Sequence, residues 1–190
     1  MAFLNKGNFE RLHKEKMTLQ VYQSHSESAT QTFAARLARR LRGGEILGLV
    51  GPLGSGKTCF AKGIARGLAI SQIITSPSFV LLKSYQGRLT LHHVDFYRLE
   101  TSDDYFSIGM DELLSLDDVI VIEWADRFLS LLPKPILLIS FDILGRNDRQ
   151  LSFEPHEAQP DRFNYLFHNL DMATQRFAPD KQRTISKDDL

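Results

Sequence analysis

Hydrophobic residues recur along the first third of this chain in blocks that predict two helices with a strand between them. Residues 26–44 carry Phe and Leu at four-residue spacing behind a serine and end in two glycines, which predicts an amphipathic helix. Residues 59–70 repeat the spacing and predict a second helix. The intervening residues 45–50 read EILGLV, a short apolar strand. Strands that alternate with helices favour an α/β fold.

Shorter apolar runs in the second half predict hairpins and a buried strand. Residues 79–85 and 89–96 flank a glycine-containing turn, and residues 136–143 and 149–153 flank the sequence LGRND, so each pair predicts an antiparallel hairpin. Residues 118–124 read DVIVIEW, a β-branched run typical of a central strand. The sheet is therefore predicted to be mixed, with antiparallel hairpins added to a parallel core.

The pattern divides the chain into a central domain and two extensions. Residues 1–16 are polar and aperiodic, and we predict a flexible extension there. Residues 17–154 are predicted to form the domain, which includes a polar-capped helical region at 101–116. Residues 155–190 are predicted to form a C-terminal extension with a disordered end and a docked helix at 161–176. The docked helix is predicted from an apolar stripe made by Phe163, Leu166, Phe167 and Leu170.

Composition narrows the expected partners and compartment. The 190 residues contain 23 Lys and Arg and 23 Asp and Glu, so the net charge is zero and gives no general attraction to nucleic acid. The single cysteine cannot form an internal disulfide, which fits a reducing compartment. No apolar run reaches the length of a membrane span, and the first residues lack the apolar stretch of a signal peptide. We expect a cytoplasmic protein without a membrane contact.

Residues 51–58 read GPLGSGKT, the G-x-x-x-x-G-K-[ST] pattern of a phosphate-binding loop, and they lie between the first strand and the second helix. In such a P-loop the backbone N–H groups and the helix N-terminus hold phosphates. Lys57 is predicted as a catalytic residue that reaches the β- and γ-phosphates, and the Thr58 hydroxyl is predicted to bind Mg²⁺. The predicted fold class is therefore α/β, a P-loop NTPase-like mixed sheet covered by helices. Since Pro52 has no N–H, the predicted cradle consists of Leu53, Gly54, Ser55, Gly56, Lys57, Thr58 and Cys59.

Two acids at predicted strand ends are candidates for the metal and for the attacking group. Glu123 follows VIVI, as the acid of a Walker B segment does, and Asp95 ends the strand that precedes FYR. Phosphoryl transfer needs carboxylates at such positions to hold Mg²⁺ and to orient the nucleophile. The alternative for each is a solvated acid at the end of a strand. Arg98 either contacts phosphate or pairs with an acid.

Several other side chains allow two interpretations each. His92 and His93 have no metal-ligand partner at a suitable spacing, so core or surface positions are expected. Trp124 either packs in the core or forms a wall of the site. Arg36 and Arg40 lie on one helix face, which is either solvated or in contact with a partner or RNA. The sequence has no N-K-x-D-type guanine-binding motif after a strand, so ATP is the predicted nucleotide.

Four separated segments together resemble one protein family. GPLGSGKT, TSPSF (75–79), HHVDFYRL (92–99) and VIEW (121–124) occur in the order and at the spacings of the TsaE (YjeE) family. That family comprises small ATPases required for the bacterial threonylcarbamoyladenosine (t6A) modification of tRNA. The resemblance covers residues 24–154.

The resemblance implies binding and hydrolysis of ATP with Mg²⁺ in support of a complex of TsaB and TsaD. In that complex TsaD transfers the threonylcarbamoyl group to adenosine 37 of ANN-decoding tRNAs, and contact of this chain with tRNA is either direct or made through these partners. We expect low ATPase activity from the protein alone and stimulation by these partners.

The resemblance also implies roles for single residues. Thr58 and Glu123 would hold Mg²⁺, and Asp95 would be an essential acid close to the phosphates. Glu27 would border the adenine, and Arg146 would approach the nucleotide. The TSPSF segment would act like a switch.

Two other functions are compatible with a P-loop in a chain of this size. A small-molecule kinase would use Asp95 to deprotonate an acceptor hydroxyl, but it would also need an arginine-bearing lid, and no arginine occurs between Arg98 and Arg127. A nucleotide-dependent interaction module would bind ATP and never release phosphate, even with partners. Phosphate release therefore separates the second alternative from an ATPase.

Overall fold

The structure, a computed structural model, describes residues 18–113, 118–158 and 161–176. The extension predicted at 1–16 lies outside these ranges, and so does the predicted disordered end after residue 176.

The described ranges contain eight strands and four α-helices. The strands are β1 (Thr18–Ser24), β2 (Ile46–Val50), β3 (Leu82–Tyr85), β4 (Leu91–Asp95), β5 (Val119–Glu123), β6 (Ile136–Ile143), β7 (Arg149–His156) and β8 (Ala173–Arg176). The α-helices are α1 (Glu27–Ala38), α2 (Lys57–Gly67), α3 (Ser102–Ser107) and α4 (Asn164–Phe167). Short 3₁₀ helices cover Met110–Leu113 and Ala125–Phe128.

All eight described strands join one sheet in the order β3-β4-β5-β2-β6-β7-β1-β8. The four central strands β4, β5, β2 and β6 run parallel. The outer strands pair antiparallel, since β3 pairs with β4, β7 with β6, and β1 lies between β7 and β8. This arrangement confirms the predicted mixed sheet with a parallel core and antiparallel hairpins. Within the described ranges no helix has the length and apolar character to cross a membrane.

Each face of the sheet carries its own hydrophobic core, because strand residues alternate between the faces. In β5, Val119 and Val121 belong to the core that α1 and α2 cover, and Ile120 and Ile122 belong to the core that α3 and the 3₁₀ helices cover. This two-sided burial is the reason that β5 reads as an unbroken apolar run. It also places the P-loop helix α2 on the face to which Val121 and Glu123 point.

Helix α1 begins where predicted and ends earlier. The Ser26 hydroxyl caps it by accepting a hydrogen bond from the Ala29 amide at 3.1 Å. The helix ends at Ala38, and the predicted continuation toward residue 44 is wrong. The cause is Glu45, whose carboxylate accepts hydrogen bonds from the Arg42 and Gly43 amides, each at 2.8 Å. A side chain just beyond the helix therefore takes amides that a longer helix would have used.

The helix predicted at 161–176 is wrong in extent and in type. Only the single turn of α4 is helical, Asn169 follows it with a φ of 55°, and β8 then pairs with β1. Part of the apolar stripe is nevertheless in the core, because Phe163 is 3% exposed and Leu166 is fully buried. The edge of β1 carries main-chain N–H and C=O groups that β8 pairs with, and a strand that forms for this reason cannot be predicted from the sequence of the tail alone. The C-terminal residues thus complete the sheet.

Other element boundaries also differ from the prediction. Strand β1 was not predicted as an element, although it pairs with both β7 and β8. The predicted strand 79–85 begins only at Leu82, since residues 78–80 form a turn. The helix predicted at 101–116 ends at Ser107, and Gly109 follows with a φ of 71°. Residues 114–117 of that prediction lie outside the described ranges.

We expect the substitution Leu166→Ala to lower the free energy of unfolding by about 2–5 kcal/mol, because it removes a buried side chain and leaves a cavity. The measurement is equilibrium unfolding in denaturant. Leu144→Ala is the matched control, since Leu144 is 56% exposed, and its effect should stay within about 0.5 kcal/mol. Equal effects of the two substitutions would show that the C-terminal segment does not pack on the core.

Candidate active site

The loop between β2 and α2 has a backbone shape that depends on its glycines. Gly51 has a φ of 147°, and a Cβ there would lie 2.7 Å from the main-chain oxygen of Phe141. Gly56 directly precedes α2 with a φ of 106°, in the left-handed region that favours glycine. No side chain caps this end of α2. The first N–H groups of the helix are therefore left to an acceptor from outside the helix.

Lys57 is buried inside this loop, with 4% of its surface exposed. Its ammonium group donates hydrogen bonds to the main-chain oxygens of Gly51 (2.6 Å) and Pro52 (3.0 Å) and lies 3.7 Å from the centre of a Trp124 ring. Burial lowers the pKa of Lys57, and the negative charges of Glu123, Asp126 and Asp95 oppose that shift. The three carboxylates do not fully offset the effect of burial on Lys57, and a bound phosphate would add further negative charge beside its ammonium group.

Three side chains form a hydrogen-bonded chain from α2 to the centre of the sheet. The Thr58 hydroxyl donates to Glu123 Oε2 at 2.9 Å, and Glu123 Oε1 lies 2.9 Å from His93 Nε2. Glu123 is 3% exposed and His93 is fully buried. The structure thus brings together the two predicted metal ligands and adds a histidine that the sequence assigned only to the core or surface.

Asp95 ends β4 directly opposite Glu123 in the parallel ladder. Its Oδ2 accepts hydrogen bonds from the hydroxyls of Ser76 (2.7 Å) and Ser78 (2.5 Å), and its Oδ1 accepts one from the Tyr97 amide (2.9 Å). Both serines belong to residues 75–79, here called the Ser-Pro loop. The acid therefore anchors the predicted switch-like segment at the edge of the site.

Arg149 ties the P-loop to the turn between β6 and β7, and sequence analysis did not identify it. Its guanidinium group donates to the main-chain oxygens of Ser55 (3.1 Å), Gly54 (3.3 Å) and Gly145 (2.8 Å). The segment LGRNDR (144–149) contains two arginines, and nothing in its pattern predicts that Arg149, and not Arg146, contacts the P-loop. Only the pairing of β6 with β7 brings this side chain against the loop.

The other predicted nucleotide contacts lie around the P-loop. The Cys59 thiol donates to the main-chain oxygen of Glu27 at 3.4 Å, which joins the starts of α1 and α2. Burial raises the pKa of this thiol, the opposite of what a reactive cysteine needs. Leu53 at the tip of the loop is 75% exposed. Arg146 is exposed, and its main-chain oxygen accepts a hydrogen bond from Arg149 at 3.4 Å.

Aromatic residues line the side of the site near Asp95. Trp124 has a φ of 60°, a left-handed conformation unusual for a tryptophan, and its ring lies between Lys57 and Tyr97. The guanidinium group of Arg98 lies 4.2 Å from the ring centre of the exposed Phe79, and among the described residues no ion pair of Arg98 with an acid occurs. Trp124 thus both packs against the second core and contacts Lys57 in the candidate site, whereas Arg98 contacts Phe79.

The structure also gives the contacts of Arg36, Arg40 and His92, whose positions the sequence left open. Arg36 of α1 donates to the main-chain oxygen of Asn169 (3.0 Å), and Arg40, which lies beyond the end of α1, donates to that of Arg36 (2.6 Å). Both arginines therefore bond to main-chain oxygens of the chain itself. His92 points to the other side of β4, where it contacts Ser84 and Asp118.

The residues present fit Mg²⁺ and nucleotide phosphates. Mg²⁺ prefers oxygen ligands and takes one or two from the protein, with phosphates and waters as the rest. Thr58 and Glu123 supply a hydroxyl and a carboxylate oxygen 2.9 Å apart, and no cluster of three or more His, Cys, Asp or Glu side chains suited to a metal occurs in the described ranges. The buried Ser55 hydroxyl has no partner among the described residues, so a ligand oxygen would satisfy it.

Comparison with known proteins gives a consistent result. A family model described as "Threonylcarbamoyl adenosine biosynthesis protein TsaE" matches residues 24–151. A "tRNA threonylcarbamoyladenosine biosynthesis protein TsaE" of Treponema pallidum is 43% identical over 129 residues, which are 68% of this chain and 96% of that protein. The protein of the same name from Bacillus subtilis is 38% identical over 125 residues, 65% of this chain and 78% of that protein.

A solved structure has the same fold. The crystal structure of Bacillus subtilis YdiB superposes with a TM-score of 0.66 at 30% sequence identity, and the match covers 79% of this chain and 92% of that one. The fold is therefore P-loop NTPase-like, as predicted.

We expect Arg149→Ala to lower both the melting temperature and the affinity for nucleotide, because three main-chain oxygens of two loops lose a charged donor. Hydrogen bonds to a charged group contribute about 1.5–3 kcal/mol, which sets the scale of the stability loss. Thermal unfolding and a nucleotide titration measure the two effects. The exposed Arg39 of the turn after α1 provides the control Arg39→Ala. If the two variants behave alike, Arg149 does not hold the P-loop.

Proposed function

Because this chain belongs to the TsaE family of threonylcarbamoyl adenosine biosynthesis proteins, we propose that it binds ATP with Mg²⁺ and hydrolyses ATP in support of t6A formation. The observation that carries the proposal is the 2.9 Å contact between the Thr58 hydroxyl and the Glu123 carboxylate, next to the buried Lys57. A hydroxyl, a strand-end acid and a lysine in this arrangement are the groups with which P-loop NTPases hold Mg²⁺ and phosphates.

In this proposal each group of the P-loop has one task. Thr58 and Glu123 hold Mg²⁺, which when bound neutralises charge on the β- and γ-phosphates. The amides of residues 53–59 surround the phosphates. Lys57 donates to phosphate oxygens in place of the Gly51 and Pro52 oxygens that it bonds to now. Its lowered pKa supports this role, because the burial that lowers it is offset once a phosphate is near.

Asp95 is the proposed acid that orients the attacking water. Its position opposite Glu123, at the ends of adjacent parallel strands, supports this role. Its Oδ2 now accepts from Ser76 and Ser78, so the Ser-Pro loop must move before that oxygen can receive a hydrogen bond from water. We propose that this movement makes the loop a switch.

The remaining predicted contacts surround the base and the outer phosphates. Cys59, the last residue of the cradle, is bonded to Glu27 at the start of α1, which supports the assignment of Glu27 to the adenine side. The turn that carries Arg146 is bonded to the P-loop through Arg149, which supports an approach of Arg146 to the nucleotide.

TsaB and TsaD are the proposed partners, and contact with tRNA is proposed to run through them. Membership of a tRNA-modification family supports this and also supports a cytoplasmic location. The exposed side chains of Leu53, Phe79 and Tyr97 offer apolar surface beside the site for such a partner.

We expect Lys57→Ala to abolish productive ATP binding, because it removes the cation that the loop buries. The measurement is the affinity for ATP and Mg²⁺ by calorimetry. Lys62→Ala is the control, since Lys62 lies on the same helix with its side chain exposed. Unchanged affinity and turnover in Lys57→Ala would contradict the P-loop assignment.

We expect slow ATP turnover by the protein alone and a clear stimulation by TsaB–TsaD. Arg98 stacks on Phe79, and Ser76 and Ser78 occupy Oδ2 of Asp95, which supports a low rate until a partner rearranges these groups. A positioned arginine alone is worth about 10³–10⁵ in rate, which bounds the stimulation. Phosphate release with and without the complex measures it, and Arg98→Ala and Arg146→Ala test each arginine. A fast basal rate that partners leave unchanged would contradict activation and favour a kinase.

A further inference from the structure

His93 is the buried side chain nearest the proposed metal ligands that the proposed function leaves without a role. It lies on β4, two residues before Asp95, and therefore points to the same face of the sheet. Its ring is fully buried, and its Nε2 lies 2.9 Å from Glu123 Oε1. Because the oxygens of a carboxylate accept hydrogen bonds, the Nε2–H group of His93 is the donor and Glu123 Oε1 is the acceptor.

The second ring nitrogen of His93 distinguishes it from an ordinary core histidine. Its Nδ1 is buried and has no hydrogen-bond partner among the described residues. The adjacent His92, on the opposite face, has partners at both nitrogens, Ser84 at 2.8 Å and Asp118 at 2.8 Å. Burying a polar atom without a partner costs free energy. An apolar side chain would fill this position without the cost of burying Nδ1, so packing alone does not explain a histidine here. The hydrogen bond to Glu123 needs only Nε2, and it does explain one.

We propose that His93 is a positioning residue, which holds the Glu123 carboxylate in the orientation that metal binding requires. This inference rests on the proposed function, in which Thr58 and Glu123 bind Mg²⁺. With Oε1 held by His93, the other oxygen of Glu123 is directed at the Thr58 hydroxyl, 2.9 Å away. Without the hydrogen bond from His93, the Glu123 carboxylate could rotate, and its second oxygen would no longer point at Thr58. Metal-binding carboxylates commonly have such partners, and their loss costs about 10- to 100-fold in metal affinity.

The test measures Mn²⁺ affinity by electron paramagnetic resonance, with a non-hydrolysable ATP analogue bound. His93→Leu should raise the Mn²⁺ dissociation constant about 10- to 100-fold, because it removes the donor to Glu123. Affinity for the analogue without metal, in EDTA, should stay close to that of the wild type. His93→Gln should restore most of the Mn²⁺ affinity, since its amide nitrogen can reach the position of Nε2. The shorter His93→Asn should not.

The control is His92→Leu, which removes the neighbouring buried histidine and its hydrogen bond to the Asp118 carboxylate on the other face of the sheet. It should lower the melting temperature without changing the Mn²⁺ dissociation constant. If His93→Leu does not fold, the comparison of His93→Gln with His93→Asn tests the same hydrogen bond. Wild-type Mn²⁺ affinity in His93→Leu, or equal affinities in the Gln and Asn variants, would overturn the inference.

Glu123→Gln separates this inference from the proposed function. If Glu123→Gln and His93→Leu both weaken Mn²⁺ binding, both assignments hold. If only Glu123→Gln weakens it, Glu123 binds the metal without help from His93, and the inference fails alone. If Glu123→Gln binds Mn²⁺ as the wild type does, the proposed metal site itself is wrong.

Discussion

The parallel pairing of β2 with β5 and of β5 with β4 is the constraint on which the rest of the structure depends. Parallel strands end at the same edge of a sheet, so the P-loop that follows β2 meets the acids that end β4 and β5. Leu49 pairs with Glu123, and Glu123 pairs with Asp95. A shift of one residue in either pairing would turn the acid of the shifted strand to the opposite face, away from α2.

The site that results is an unusually polar part of the interior. Lys57, Asp95 and Glu123 are each at least nineteen-twentieths buried, and their hydrogen bonds go to loop oxygens, hydroxyls and a histidine. Burying ionisable groups opposes folding, and the lowered pKa of Lys57 is a sign of that cost. The two apolar cores on the faces of the sheet supply the stability that tolerates it. Buried ionisable groups that reduce the stability of the fold are typical of functional sites.

Contacts from distant segments complete the site. Arg149 reaches the P-loop from the last hairpin, and the Ser-Pro loop reaches Asp95 from the connection after α2. Both contacts join a segment of irregular backbone to a strand end. The exposed Phe79 lies in the Ser-Pro loop itself. A surface that covers this residue would therefore act directly on the anchor of Asp95.

Local patterns in the sequence determined the helices α1 and α2, the central strand β5, both hairpins and the P-loop, because these depend on periodicity and on glycine positions. They also marked Glu123 and Asp95 as strand-end acids, since an apolar run followed by an acid is visible in one dimension. The tertiary structure alone decided that residues 173–176 form a strand, because β8 depends on pairing with the edge of β1. His93 and Arg149 became recognisable only through partners distant in the sequence, Glu123 and the P-loop. A hydrogen bond across a sheet leaves no periodic trace in either segment that makes it.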